Sequence, residues 1–198
     1  PTKIAAMEAI WETHEAPAPL TLFAIPDEAA QTNHAQIDVP WLFGLMGTRS
    51  LSTEIPGIKE LTAQAEQRIV NGQKAIGVLE QLRKDPANEQ LREQFLAVRD
   101  DLGFGLLLKR YTNDVNAATP EMIKQAAADT IPSVTPMFWS FRIMVGSGLA
   151  MALVFVLGLF YSFRNEIAEK AWYLRLAVLA LPLPWIASEA GWFVAEYG

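Results

Sequence analysis

Two apolar stretches in the last third of the chain each carry polar groups that a lipid-facing helix rarely keeps without using them. The first begins Pro136-Met-Phe-Trp-Ser-Phe-Arg142-Ile-Met144 and stays apolar to about Phe160, with Arg142 its one charge. The second ends Glu189-Ala-Gly-Trp192-Phe-Val-Ala-Glu196-Tyr197-Gly198. A charged side chain at mid-membrane costs about 2.5–3.5 kcal/mol on insertion scales, so these groups point to a cofactor or an ion path. The Met144 thioether is a soft ligand able to bind haem iron from one side; the plain alternative is a methionine that fills a packing gap. Arg142, two residues away, could neutralise haem propionates or could snorkel to the interface. Glu189, Trp192 and Glu196 follow the spacing i, i+3, i+7 and share one stripe of a helix. Such a stripe suits metal ligation or proton delivery between aromatic walls; the alternative puts Glu196 at the interface and Trp192 in an aromatic belt.

A second group lies at the other end of the chain. Lys3 and Glu8 bracket one patch of a short amphipathic helix, where a cation and a carboxylate near a membrane could hydrogen-bond a quinone ring and take its protons. Taken alone, such a pair is far more often the solvated face of a helix. His14 and His34 lack the spacing of a metal site. The chain has no cysteine, which excludes disulfides and thiolate metal sites. No Gly-rich phosphate loop, nucleophile elbow or zinc motif occurs. Lys and Arg alternate with acids throughout, so there is no basic surface for nucleic acid.

The elements that must position these residues follow from composition. The net charge of −6 on 198 residues hides an acidic first two-thirds and a nearly uncharged last third, which separates an aqueous arm from a membrane part. The expectation is an all-α fold: a mostly helical extracytoplasmic arm over 1–136, a transmembrane helix over 137–163, a cytoplasmic connector over 164–171, and a second transmembrane helix over 172–198. Arg164, Lys170 and Arg175 hold the connector inside and the arm outside. Pro182 and Pro184 predict a kink in the second membrane helix. Within the arm, helices are expected over Lys3–Thr13, Ile58–Arg83 and Asn88–Asp101, the last ended by Gly103 and Gly105. A further one, from Thr119-Pro120 to about Thr130, opens on an N-cap and a proline at the first helical position. Residues 17–56, punctuated by prolines, read as loop. The chain stops at Gly198 amid apolar sequence and reads as an internal piece of a larger protein.

Four pieces of sequence resemble subunit I of the cytochrome bd quinol oxidases. They are Pro1-Thr-Lys3-Ile-Ala-Ala-Met-Glu8-Ala-Ile-Trp11-Glu12, Gly105-Leu-Leu-Leu-Lys109-Arg110-Tyr111, Phe141-Arg142-Ile-Met144-Val, and the run from Pro182-Leu-Pro184-Trp185 to Gly198. The resemblance covers the chain from end to end and is loosest over about 15–100. It implies a bacterial inner-membrane helical bundle that oxidises ubiquinol or menaquinol and reduces O2 to water through a low-spin haem b, a high-spin haem b and a haem d. It further implies that Lys3 and Glu8 bind and oxidise the quinol in a long periplasmic loop. Met144 is implied as a ligand of the low-spin haem with Arg142 its neighbour, Glu196 as the ligand of the high-spin haem, and Trp192 as packing among the haems. The family's histidine ligands have no match here, and neither His14 nor His34 corresponds to one. The chain is therefore expected to work only with the rest of subunit I, subunit II and a small accessory subunit. Two other readings stand beside this one: a membrane-anchored helical adaptor, and an ion-transporter subunit in which Glu189 and Glu196 relay ions.

Overall fold

The computed structural model describes residues 1–16, 18–43 and 52–197. It is mostly helical, with one two-stranded sheet. In chain order the elements are α1 (Thr2–Glu8), β1 (Leu20–Asp27), β2 (Thr32–Val39), α2 (Ile58–Lys84), α3 (Glu89–Val98), α4 (Leu102–Leu106), α5 (Pro120–Ala128), α6 (Val134–Phe163), α7 (Ala171–Leu179) and α8 (Leu183–Tyr197). The chain divides into two compact units, one of Pro1–Ala5, Ile10–Pro19 and Pro40–Pro132, the other of Ala6–Ala9, Leu20–Val39 and Ser133–Gly198.

The first unit is built on α2, against which α3, α4 and α5 pack. Its core joins Ala65 and Ile69 of α2 to Leu108, Val115, Ala126 and Ala127. Local signals set the ends of its helices. The Asn88 side chain accepts from the Leu91 amide at 3.2 Å, and Thr119 accepts from Met122 at 3.4 Å with Pro120 behind it. The Lys3–Thr13 helix is shorter than expected. Residues after α1 leave the helix and satisfy the otherwise unpaired first amides of α2: Ile58 donates to the Ile10 carbonyl at 2.8 Å and Lys59 to that of Trp11 at 3.0 Å. Gly103 and Gly105 do not end a helix; both lie inside α4. Gly105 is needed for approach rather than for termination, since a Cβ there would fall on the backbone of Gly72, and one at Gly72 on that of Gly105.

The second unit corrects the all-α expectation and the loop reading of 17–56. Residues 20–39 form an antiparallel hairpin, with Thr21 opposite Asp38, Phe23 opposite Ile37 and Ile25 opposite His34. The Asp27 carboxylate closes its turn by accepting from the amides of Ala29 and Ala30, both at 3.0 Å. Pro17, residues 44–51 and Gly198, where other parts of those expectations fall, lie outside the described residues.

Helix α6 starts at Val134, three residues before the expected membrane entry, with Pro136 tolerated in its first turn. Its N-terminus is capped from the hairpin: Glu28 accepts from the Thr135 amide at 2.9 Å, placing a carboxylate at the positive end of the helix. Met137 and Phe138 are fully buried, while the exposed large apolar side chains of α6 begin at Ile143 and end at Phe163. That band is about 30 Å long at 1.5 Å per residue, the thickness of a hydrocarbon core. The segments Val134–Phe163 and Ala171–Tyr197 are both long and apolar enough to cross a membrane, with mean hydropathy 2.4 and 1.4. The second is interrupted between α7 and α8 at Ala180–Pro182, as its prolines predict. It runs antiparallel to α6: Tyr173 donates to the Val154 carbonyl at 3.2 Å, and farther along Gly191 lies against Met144.

Candidate functional site

Glu8 is the last residue of α1 and is 1% exposed. The chain must turn sharply after it. Ala9 does so at φ 50, in the left-handed region that costs an L-residue about 1–2 kcal/mol. The hairpin braces that turn, because Asn33 Nδ2 donates to the Ala9 carbonyl at 2.9 Å.

Arg142 meets Glu8 there. Its Nη2 donates to Glu8 Oε2 at 2.8 Å, its Nε donates to the Thr21 carbonyl at 3.1 Å, and a third bond runs from Nη1 to the Met7 carbonyl. The guanidinium also lies 3.7 Å from the centre of the Phe138 ring. A planar fork of donors in fixed geometry serves a carboxylate and two carbonyls at once, with the fork already set in shape. Arg142 is therefore paired within the protein.

The other carboxylate oxygen, Glu8 Oε1, is buried without a hydrogen-bond partner among the described residues. Burial pushes the Glu8 carboxyl up to about 7; Arg142 and the Thr21 backbone pull it down, and the negative charge of Asp38 adds to the rise. A carboxyl balanced near neutrality, with one oxygen held and the other free, can accept a proton and release it again.

Around this pair stand hairpin residues that sequence reasoning missed. Thr21 is buried, and Asp38 faces it across the sheet. Gln36 Nε2 donates to both Asp38 oxygens, at 3.0 and 2.9 Å, and reaches Thr21 Oγ1 at 3.4 Å. The available signal was the run of β-formers between Pro19 and Asp27, masked by its prolines.

The remaining predicted residues are placed as follows. Lys3 is half-buried on α1, five positions before Glu8. Met144 is half-buried on α6, two positions beyond Arg142, and its sulfur would lie 3.1 Å from a Cβ at Gly191. Glu189, Trp192 and Glu196 lie on the unbroken helix α8 and share one stripe, all exposed, with Trp192 at 64%. Since Gly191 faces Met144 and the helices are antiparallel, Glu196 lies toward the Val134 end of α6 from that contact. The donor set fits haem ligation in kind: a half-buried thioether on α6, and on α8 an exposed carboxylate engaged in no ion pair among the described residues. Among the described residues no group of three or more His, Asp or Glu could hold a bare metal ion. A cavity of about 520 Å³ in the first unit, lined by Leu61, Ala65, Arg68, Phe104 and Leu107 among others, contains none of these residues.

The family model "Cytochrome bd terminal oxidase subunit I" matches residues 1–198, and the chain belongs to that family. It is 39% identical over its whole length to the cytochrome bd-II ubiquinol oxidase subunit 1 of Escherichia coli (strain K12). It is 27% identical, again over its whole length, to the cytochrome bd ubiquinol oxidase subunit 1 of Bacillus subtilis (strain 168). The chain spans 38% of the length of the first relative and 30% of the second.

Proposed function

We propose that this chain supplies the quinol-oxidising surface and two haem-ligating positions of a bd-type terminal oxidase, a quinol:oxygen oxidoreductase of the bacterial inner membrane. The observation that carries the reading is the Glu8–Arg142 pair: a buried carboxyl near neutral pKa, one oxygen unpartnered, two residues along α6 from a thioether. Both relatives carry "ubiquinol oxidase" in their names, which supports quinol as substrate; ubiquinol and menaquinol present the same hydroxyl chemistry.

Residues 1–136 form the periplasmic loop in this reading, with 137–163 and 172–198 crossing the membrane and 164–171 inside. Arg142 then sits at the outer rim of the apolar band that begins at Ile143, so its charge stays at the interface and is paired. Lys3 and Glu8 bind the quinol, and Glu8 Oε1 takes a hydroxyl proton as the ring is oxidised. Arg142 holds the carboxylate in place through this transfer. Met144 would hold a low-spin haem b and Glu196 a high-spin one, in a complex that also carries haem d, and Trp192 would line the haem site. The haems, when bound, supply the electron path from quinol to O2, two quinols being oxidised for each O2 reduced to two waters. The missing histidine ligands come from the rest of subunit I, with subunit II and a small subunit completing the complex.

The test is a reduced-minus-oxidised spectrum of membranes carrying the full-length subunit, wild type beside Met144→Leu. Loss or shift of the low-spin haem b band in the variant supports the reading. An unchanged band removes Met144 as ligand, and absence of haem in both removes the oxidase.

A further inference from the structure

We propose that Asp38, on strand β2, is the second carboxylate of the site and carries the proton from Glu8 to the aqueous surface. The inference rests on the reading of Glu8 as the proton acceptor and extends it to the question of where the proton goes next.

A buried acceptor turns over only if it is emptied. Glu8 is 1% exposed and cannot discharge directly to bulk water. The charged groups that bear on it are Arg142 from α6, which holds Oε2, and Asp38 from β2, whose charge acts on it; Lys3 lies on α1 itself. Arg142 is a donor that keeps its proton and cannot relay one. Asp38 is exposed, and it reaches the Glu8 environment through a connected set of groups. Thr21, whose carbonyl shares the Arg142 guanidinium, is its cross-strand partner. The Gln36 amide donates to both Asp38 oxygens and fixes the carboxylate on that side of the hairpin.

The step balances without a further reactant. The proton on the Glu8 carboxyl passes, directly or through water, to the Asp38 carboxylate; Glu8 is left ionised beside Arg142, and Asp38 gives the proton to solvent. The hairpin packs on the first turns of α6 through Phe23 against Trp139, which brings an exposed acid to the rim of the site.

The experiment uses the full-length subunit in its assembled complex. Quinol oxidation is measured across pH on both sides of 7 for wild type, Asp38→Asn, Asp38→Glu and Glu8→Gln, with haem content determined for each. For Asp38→Asn the rate falls about a hundredfold with haem retained, the lower edge of what a positioned proton-transfer group contributes. The rise of rate with pH moves to lower pH, because one negative neighbour of Glu8 is gone, and Asp38→Glu restores both. A wild-type rate and profile in Asp38→Asn overturns the proposal. So does a loss of rate and haem together that Asp38→Glu does not restore, since that marks a residue of the fold. Wild-type turnover in Glu8→Gln would instead remove the underlying reading of Glu8.

Discussion

Arg142 Nη2 stands 2.8 Å from Glu8 Oε2 across 134 positions of sequence, and both side chains are withdrawn from water. The pair joins the end of α1 to the start of α6, and the same guanidinium binds the Thr21 carbonyl of the hairpin. The end of α1, the hairpin and the start of α6 are thereby held as one constellation. Breaking a buried pair by removing one partner typically costs about 3–5 kcal/mol, because the other charge is left uncompensated. The value of the pair is therefore in where it holds Glu8.

Replacing Arg142 with Gln removes the main group that lowers the Glu8 pKa. The Glu8 carboxyl should then titrate above its present value of about 7, and the end of α1 should loosen. Infrared difference titration of the carboxyl band, with hydrogen exchange over residues 2–9, reads both effects. A carboxyl titrating where it does in wild type would show that Arg142 does not control it.

The pH dependence follows from the direction of the Glu8 shift. Its folded pKa lies above the ordinary 4.5, so the folded state binds the proton more tightly than the unfolded one. The stabilisation from that proton is fully present below about 4.5 and is lost as pH rises through about 7. Activity has the opposite slope, since only the ionised carboxylate accepts a proton, and quinol oxidation should rise through the same range. Glu8→Gln should flatten the stability slope and remove most of the activity with haem retained. A sloped stability profile in that variant would assign the titration to another group.

The longer helices of the first unit were legible because their signals are local: Thr119 with Pro120, and the apolar repeat of α2 from Leu61 through Ile69. The hairpin was not. Its turn, Asp27-Glu28-Ala29-Ala30-Gln31, has no glycine and is closed by the Asp27 side chain instead, while Pro19 and Pro26 read as loop punctuation. The chemistry was legible in type and not in arrangement. Glu8, Arg142 and Met144 stood out as residues, but no spacing rule could find that Arg142 binds Glu8 across 134 positions. Thr21, Gln36 and Asp38 could not be proposed at all without the hairpin.

Gly103 and Gly105 lie two apart in one short helix and should respond oppositely to alanine. A Cβ at Gly103 meets nothing within 4 Å, so Gly103→Ala should stabilise by about 0.5–1 kcal/mol through helix propensity. A Cβ at Gly105 falls on the backbone of Gly72, which cannot yield as a side chain would, so Gly105→Ala should destabilise by about 1–3 kcal/mol. Hydrogen exchange over α2 and α4 in the full-length protein measures both. Equal responses would mean that the close approach of the two backbones is not what the fold requires.

Gly191 gives a way to reach Met144 without touching it. A Cβ there would lie 3.1 Å from the sulfur and 3.8 Å from Cγ, close enough that the flexible thioether must move by a few tenths of an ångström. Gly191→Ala therefore leaves α6 and α8 packed, because the clash is with the end of a soft side chain rather than with backbone. Gly191→Val adds two methyl groups at the same point and should push the sulfur off its position. If Met144 is the haem ligand, the low-spin band should shift slightly in the alanine variant and strongly in the valine variant, in step with the volume added, while the amount of assembled protein changes little. A band that stays fixed across the series while assembly is normal would mean that this sulfur serves only the contact between the two helices.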